Sequence, residues 1–111
     1  SMYLTRAAVK QTLSLVRALG GPGSEVCCDF WFLLDQPDLR GAAHRLSASF
    51  LHLLGEPVLF GIHPEDAPAF LAGLDFDVVE IATADVLRAR YVRDGRDVYA
   101  AMYAAHARAR G

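Results

Sequence analysis

Apolar positions along the first third of the chain switch between two periods. From residue 6 to 19, Val9, Leu13 and Val16 form one stripe, widened by Ala8, Thr12, Leu15 and Leu19. That spacing predicts a helix packed on a sheet, with Thr5 as its N-cap. Gly20-Gly21-Pro22-Gly23 ends it. Residues 25–34 then run almost continuously apolar through Cys27, Cys28, Phe30, Trp31, Phe32, Leu33 and Leu34. A run of this kind predicts a strand covered on both faces, as in parallel α/β sheets. Asp35-Gln-Pro-Asp38 predicts a turn and cap. Leu39, Ala43, Leu46, Phe50 and Leu53 follow at spacings of four and three, so residues 38–54 are expected to form an amphipathic helix with that stripe inward. His44 and His52 fall on or near its polar side.

The stretch from Gly55 to Ile81 predicts a loop, a helix and a strand in succession. Pro64 suits the first helical turn, where a missing N–H costs nothing, and Glu65 and Asp66 suit the positive end of the helix dipole. Ala67, Phe70, Leu71 and Leu74 recur at helical spacing. Asp75 stands where helices often stop in the left-handed conformation, which Asp tolerates better than most residues. Phe76, Val78, Val79 and Ile81 form a strand rich in β-branched residues. Phe30, Phe32, Phe70, Leu71 and Val79 are expected to be buried together. Thr83 caps a short helix over 84–91, and Arg93-Asp94-Gly95-Arg96 is a turn. The last segment is ambiguous: its alanines favour helix by propensity.

Composition narrows the function classes. The chain has 111 residues, 53% of them hydrophobic and 22% charged, with a formal net charge of −2. That is one packed domain or part of one. Arg88, Arg90, Arg93 and Arg96 are interrupted by Asp94 and Asp97, so no concentrated basic face points to nucleic acid. No run approaches the roughly 18 apolar residues of a membrane span. The N-terminus has no cleavable signal pattern, and Ser1-Met2 has the form of a cloning remnant before a start methionine. Cys27 and Cys28 are adjacent, so on a strand they point to opposite faces and stay reduced, as expected in the cytoplasm. His44 and His52 are eight residues apart, unsuited to clasping one metal, and no other residue type completes a ligand set.

Several segments together resemble the C-terminal half of S-adenosylmethionine-dependent methyltransferases of the leucine carboxyl methyltransferase type. These are Gly55-Glu56-Pro57, Phe60-Gly61-Ile62, Pro64-Glu65-Asp66 and Phe70-Leu71-Ala72. Met2-Tyr3-Leu4-Thr5 resembles the end of that family's fourth strand, and Gly23-Ser24-Glu25-Val26 with Asp29-Phe30 its fifth. Arg90-Tyr91 resembles the pair closing its last helix. The resemblance implies an α/β fold: the C-terminal half of a Rossmann-like methyltransferase sheet, about three strands with flanking helices, over residues 1–111. It makes residues 99–107 a strand, antiparallel at the sheet edge. It sets strand 25–34 between the fourth strand and the last. It makes residues 38–54 an insertion that helps cover the methyl acceptor, a carboxyl or hydroxyl oxygen. It implies Tyr3, Asp29 and Phe30 as the border of the acceptor pocket. Ordinary strand-end packing is the competing reading of those three.

The family's cofactor half needs a glycine-rich turn after its first strand and an acidic residue after its second. Neither arrangement is present. The glycine cluster here follows a helix and precedes a strand, the reverse of a phosphate-binding loop. No nucleophile motif is found. The expectation is therefore part of an O-methyltransferase, inactive alone and binding S-adenosylmethionine weakly or not at all. The alternative is a non-catalytic interaction or dimerisation module. Strand 25–34 would lack its neighbour on one edge, and open edges recruit other chains. A homodimer centred on that edge or on the 2–19 segment is expected.

Overall fold

The computed structural model of the chain describes residues 1–32, 34 and 37–111. Its elements are α1 (Arg6–Gly20), β1 (Glu25–Trp31), α2 (Leu39–Leu53), α3 (Ala67–Ala72), β2 (Phe76–Ala82), α4 (Ala84–Tyr91) and β3 (Met102–Ala109). Leu33 of the predicted 25–34 strand and the turn residues Asp35 and Gln36 lie outside the described residues, and β1 ends at Trp31, short of the predicted Leu34.

Local chemistry sets most boundaries. Thr5 caps α1, its hydroxyl accepting from the Ala8 N–H at 3.2 Å. Gly21, at φ 74°, stops α1 and donates back to the Arg17 carbonyl. Asp38 caps α2 by accepting from the Gly41 N–H at 3.0 Å. Asp75 takes φ 61°, the left-handed turn expected of it. The helix before it is shorter than predicted. It begins at Ala67 with Pro68 in its first turn, while Pro64–Asp66 forms a turn ahead of it.

The sheet departs from the expectation drawn from the apolar run. It has three strands in the order β1-β3-β2, and β3 is antiparallel to both neighbours. The last strand lies in the centre of this sheet, not at an edge, and spans two residues more at its C-terminal end than predicted. The helical propensity of its alanines is overridden because small side chains suit a strand hemmed in on both sides: Ala105, Ala107 and Ala109 are buried under the helices. β1 is not covered on both faces. Val26, Cys28 and Phe30 face the core, while Glu25, Cys27 and Asp29 face outward, the alternation of a one-sided antiparallel sheet. Glu25 on that open face binds Arg108 at 2.7 Å and His106 at 2.9 Å across the β1–β3 pair. Cys27 and Cys28 are both free thiols, and burial pushes that of Cys28 up to about 11.

The core lies between the covered face and α1 and α3. Phe30 is its hub, edge-on to Phe60 and Phe70 at 5.9 and 6.2 Å and tilted against Tyr103 at 5.8 Å. Val9, Leu13, Leu71 and Phe76 close around them, and the Arg6 guanidinium covers the Phe70 ring at 5.0 Å. Two of the predicted core residues differ. Phe32 is half-buried against this cluster. Val79 is 50% exposed, because the β2–β3 register skips it between Val78 and Glu80. That bulge returns Ile81 to the core face opposite Ala105 and keeps Glu80 outside opposite His106. Glu80 there pairs with Arg90 of α4.

Helix α2 reverses its predicted orientation. Gly41 and His44 are its buried residues, while Leu39, Leu46, Phe50 and Leu53 of the apolar stripe stand exposed, Leu53 at 82%. The stripe predicts which residues are apolar, and among the described residues most of that face stays exposed. Leu15 and Leu19 of α1 are exposed in the same way.

Candidate functional site: a cavity at the carboxyl end of β1

A cavity with a volume of about 690 Å³ is formed by the described residues. It opens where β1 ends, between Trp31 and Phe32, the buried side of α2, and the 57–63 loop. Open α/β sheets hold ligands beyond the carboxyl ends of their strands, and the volume suits a small organic molecule.

Each wall is held by identifiable contacts. The Ile62 N–H donates to the Trp31 carbonyl at 2.8 Å, and the Tyr103 hydroxyl donates to the Ile62 carbonyl at 2.8 Å. The loop is therefore pinned from both sides at one residue. Its earlier part is held by the Met2 carbonyl, which accepts from Leu59 and Phe60 at 2.8 and 3.3 Å. Gly61 lies where a Cβ would meet the Trp31 carbonyl at 3.3 Å, so a larger residue requires the loop or the strand end to give by a few tenths of an ångström. On the α2 side, His44 is 5% exposed, with its Nδ1 in a 2.6 Å hydrogen bond to the Tyr99 hydroxyl. Trp31 packs on both rings, at 5.0 Å from Tyr99 and 6.5 Å from His44. Phe32 packs on His63 at 5.3 Å.

The lining combines an apolar majority with four polar side chains, His44, Ser49, His52 and His63. Burial pushes the His44 imidazole below its ordinary value, and the positive charge of Arg45 adds to that shift. Burial raises the Tyr99 hydroxyl. Both groups are therefore held neutral near pH 7. Ser49 already donates to the Arg45 carbonyl at 2.9 Å.

The residues expected to border an acceptor pocket are dispersed. Phe30 is in the centre of the core. Asp29 is on the outward face of β1, about half exposed, with its backbone carbonyl accepting from the Ser1 hydroxyl at 2.7 Å. Tyr3 is 51% exposed. None of the three is among the residues lining the cavity. Those that do line it were hidden in the sequence by two misleading signals. His44 and His52 share a helix whose apolar stripe points to the wrong face. Tyr99, which positions His44, sits in a stretch with no motif. Pro57, Gly61 and Ile62 belong to the resembling segments but carried no assigned role.

Gly21 and Gly23 take positive φ in a turn that follows α1 and enters β1, not one that leaves a strand for a helix. The N-terminus of α2 is closed by its own Asp38 cap. Among the described residues no cluster of His, Cys, Asp or Glu could hold a metal ion, and no helix is long and apolar enough to cross a membrane. Comparison of the chain with protein-family models, with curated proteins and with solved structures gives no match.

Proposed function

We propose that this chain is the C-terminal part of an S-adenosylmethionine-dependent O-methyltransferase and is inactive by itself. In this reading it supplies the acceptor side, a carboxyl or hydroxyl oxygen being methylated in the complete cytoplasmic enzyme. The observation that carries it is the arrangement around β1. β1 and β2 run in the same direction, joined through α2 and α3, and β3 returns antiparallel beside β1, the neighbour that the resemblance implies, though in the centre of the sheet and not at its edge. Among the described residues β1 pairs with no strand on its other edge. On that side the Asp29 and Trp31 carbonyls accept from Ser1 and Ile62 alone. A sheet that continued through a fourth strand there would supply the missing cofactor half. The cavity at the end of β1 lies beside α2, the segment that the resemblance makes an acceptor cover, and it is offered here as the acceptor site in place of the Tyr3, Asp29 and Phe30 border. Holding an acceptor oxygen in line is the main task of such a half, a proximity effect.

Translation of the DNA immediately upstream tests this. A strand, a glycine-rich turn and a helix should appear in the same frame. Calorimetry on the joined protein should then give S-adenosylmethionine binding that the isolated chain lacks. Micromolar binding by the isolated chain would overturn the proposal.

One set of observations favours a second reading, a non-catalytic assembly module derived from the same fold. Leu39, Leu46, Phe50 and Leu53 of α2 and Leu15 and Leu19 of α1 are exposed, and the β1 edge is open. Two copies pairing at that edge, or through the 2–19 segment, would cover part of this surface.

A further inference from the structure

The cavity at the end of β1 distinguishes between the two acceptor types that the proposed function leaves open. We infer that it binds a neutral, flat, apolar molecule bearing a hydroxyl group, a phenol, and not a carboxylate. The inference rests on the proposed function only for calling that molecule an acceptor. The binding preference stands on the cavity itself.

The first argument is charge. Among the described residues, no lysine or arginine lines the cavity. Cations stand in adjoining cavities: Arg6 and Lys10 beyond Gly61, Ile62 and His63, and others on the far side of the His44–Tyr99 wall. There Arg40 and Arg88 line a second cavity of about 400 Å³ together with Tyr99 and Asp97, and Arg88 is already paired to Asp97 at 3.2 Å. A carboxylate entering the larger cavity would leave water without meeting a cation that lines it, which is strongly unfavourable.

The second argument is hydrogen-bond logic. His44 spends Nδ1 on Tyr99, and its Nε2 has no partner among the described residues. The neutral ring has two tautomers. When Nδ1–H donates to Tyr99, Nε2 accepts. When the Tyr99 hydroxyl donates to Nδ1, Nε2–H donates. A ligand hydroxyl satisfies either case, because it both donates and accepts. A carboxylate only accepts and suits one.

The third argument is shape. Trp31, Phe32, Pro57, Val58 and Ile62 give flat and apolar walls suited to a ring.

The test is a titration of the full chain at pH 8 with 4-ethylphenol and with 4-ethylbenzoate, molecules of similar size differing in the polar group. Calorimetry should show the phenol binding at least about tenfold more tightly, the factor that corresponds to one hydrogen bond's worth of discrimination. His44→Phe should reduce that preference without abolishing it, because the carboxylate's desolvation cost remains, while leaving the aromatic contact. Because that variant removes a buried hydrogen bond, a second measurement uses the unaltered protein labelled with ¹⁵N-histidine. The His44 ring nitrogens should shift on addition of the phenol and stay in place with the benzoate. Equal or tighter binding of 4-ethylbenzoate, or no binding of either molecule, overturns the inference. Neither result touches the test by upstream sequence, so the methyltransferase reading stands or falls separately.

Discussion

Tyr103→Phe removes a single oxygen and should test how the cavity loop is held. Tyr103 is 1% exposed on the central strand, and its hydroxyl is bonded at 2.8 Å to the carbonyl of Ile62, itself a buried residue. The buried hydroxyl is pushed well above the ordinary tyrosine range, mainly by desolvation, so it acts as a donor at any working pH. Phenylalanine fills the same space, leaving almost no cavity term. What remains is a buried carbonyl without its donor, at a cost of about 1–3 kcal/mol. With a urea slope of about 2 kcal/mol/M, a 2 kcal/mol loss lowers the midpoint by about 1 M at unchanged slope. The fluorescence of Trp31, the chain's one tryptophan, reports the transition from the strand end that the loop abuts. Amide exchange at 60–63 should accelerate more than exchange in β3. A midpoint shift worth less than about 0.3 kcal/mol, inside the range of a neutral surface change, would refute the claim that this bond pins the loop.

Three further outcomes are expected. Phe70→Ala empties a site bounded by Phe30, Phe60 and Arg6, and should cost about 3–5 kcal/mol in denaturant unfolding. His44 has its folded value lowered from 6.5, so its stabilising contribution is complete above about pH 6.5 and is lost as pH falls below it. Thermal melts of His44→Gln should lack that slope, while the lowered carboxyls of Glu25 and Asp77 add their own loss below about 4.5 and 3.8. Light scattering at micromolar concentration should give a homodimer, and a cooperatively folded monomer would remove the assembly reading.

Local sequence chemistry determined the element order almost completely. The Thr5, Asp38 and Thr83 cap positions, the Gly20–Gly23 stop, the left-handed Asp75 and the strand at 76–82 all depend on a few neighbouring residues. The aromatic core at Phe30 and Phe70 was legible too, since large apolar side chains at the proper period have few other places to go. Faces were another matter. A period says that a helix has an apolar side, but not that the rest of the molecule will meet it, and α2 turns His44 inward instead. The alanine-rich end has good helical propensity, yet it becomes the central strand because β1 and β2 both offer it backbone partners far away in the chain. The bulge at Val79 arises from that same pairing. The cavity depended most on tertiary structure. Trp31, His44, Ile62 and Tyr99 lie on four separate segments, and no local signal links them until the sheet, α2 and the 57–63 loop converge at the end of β1.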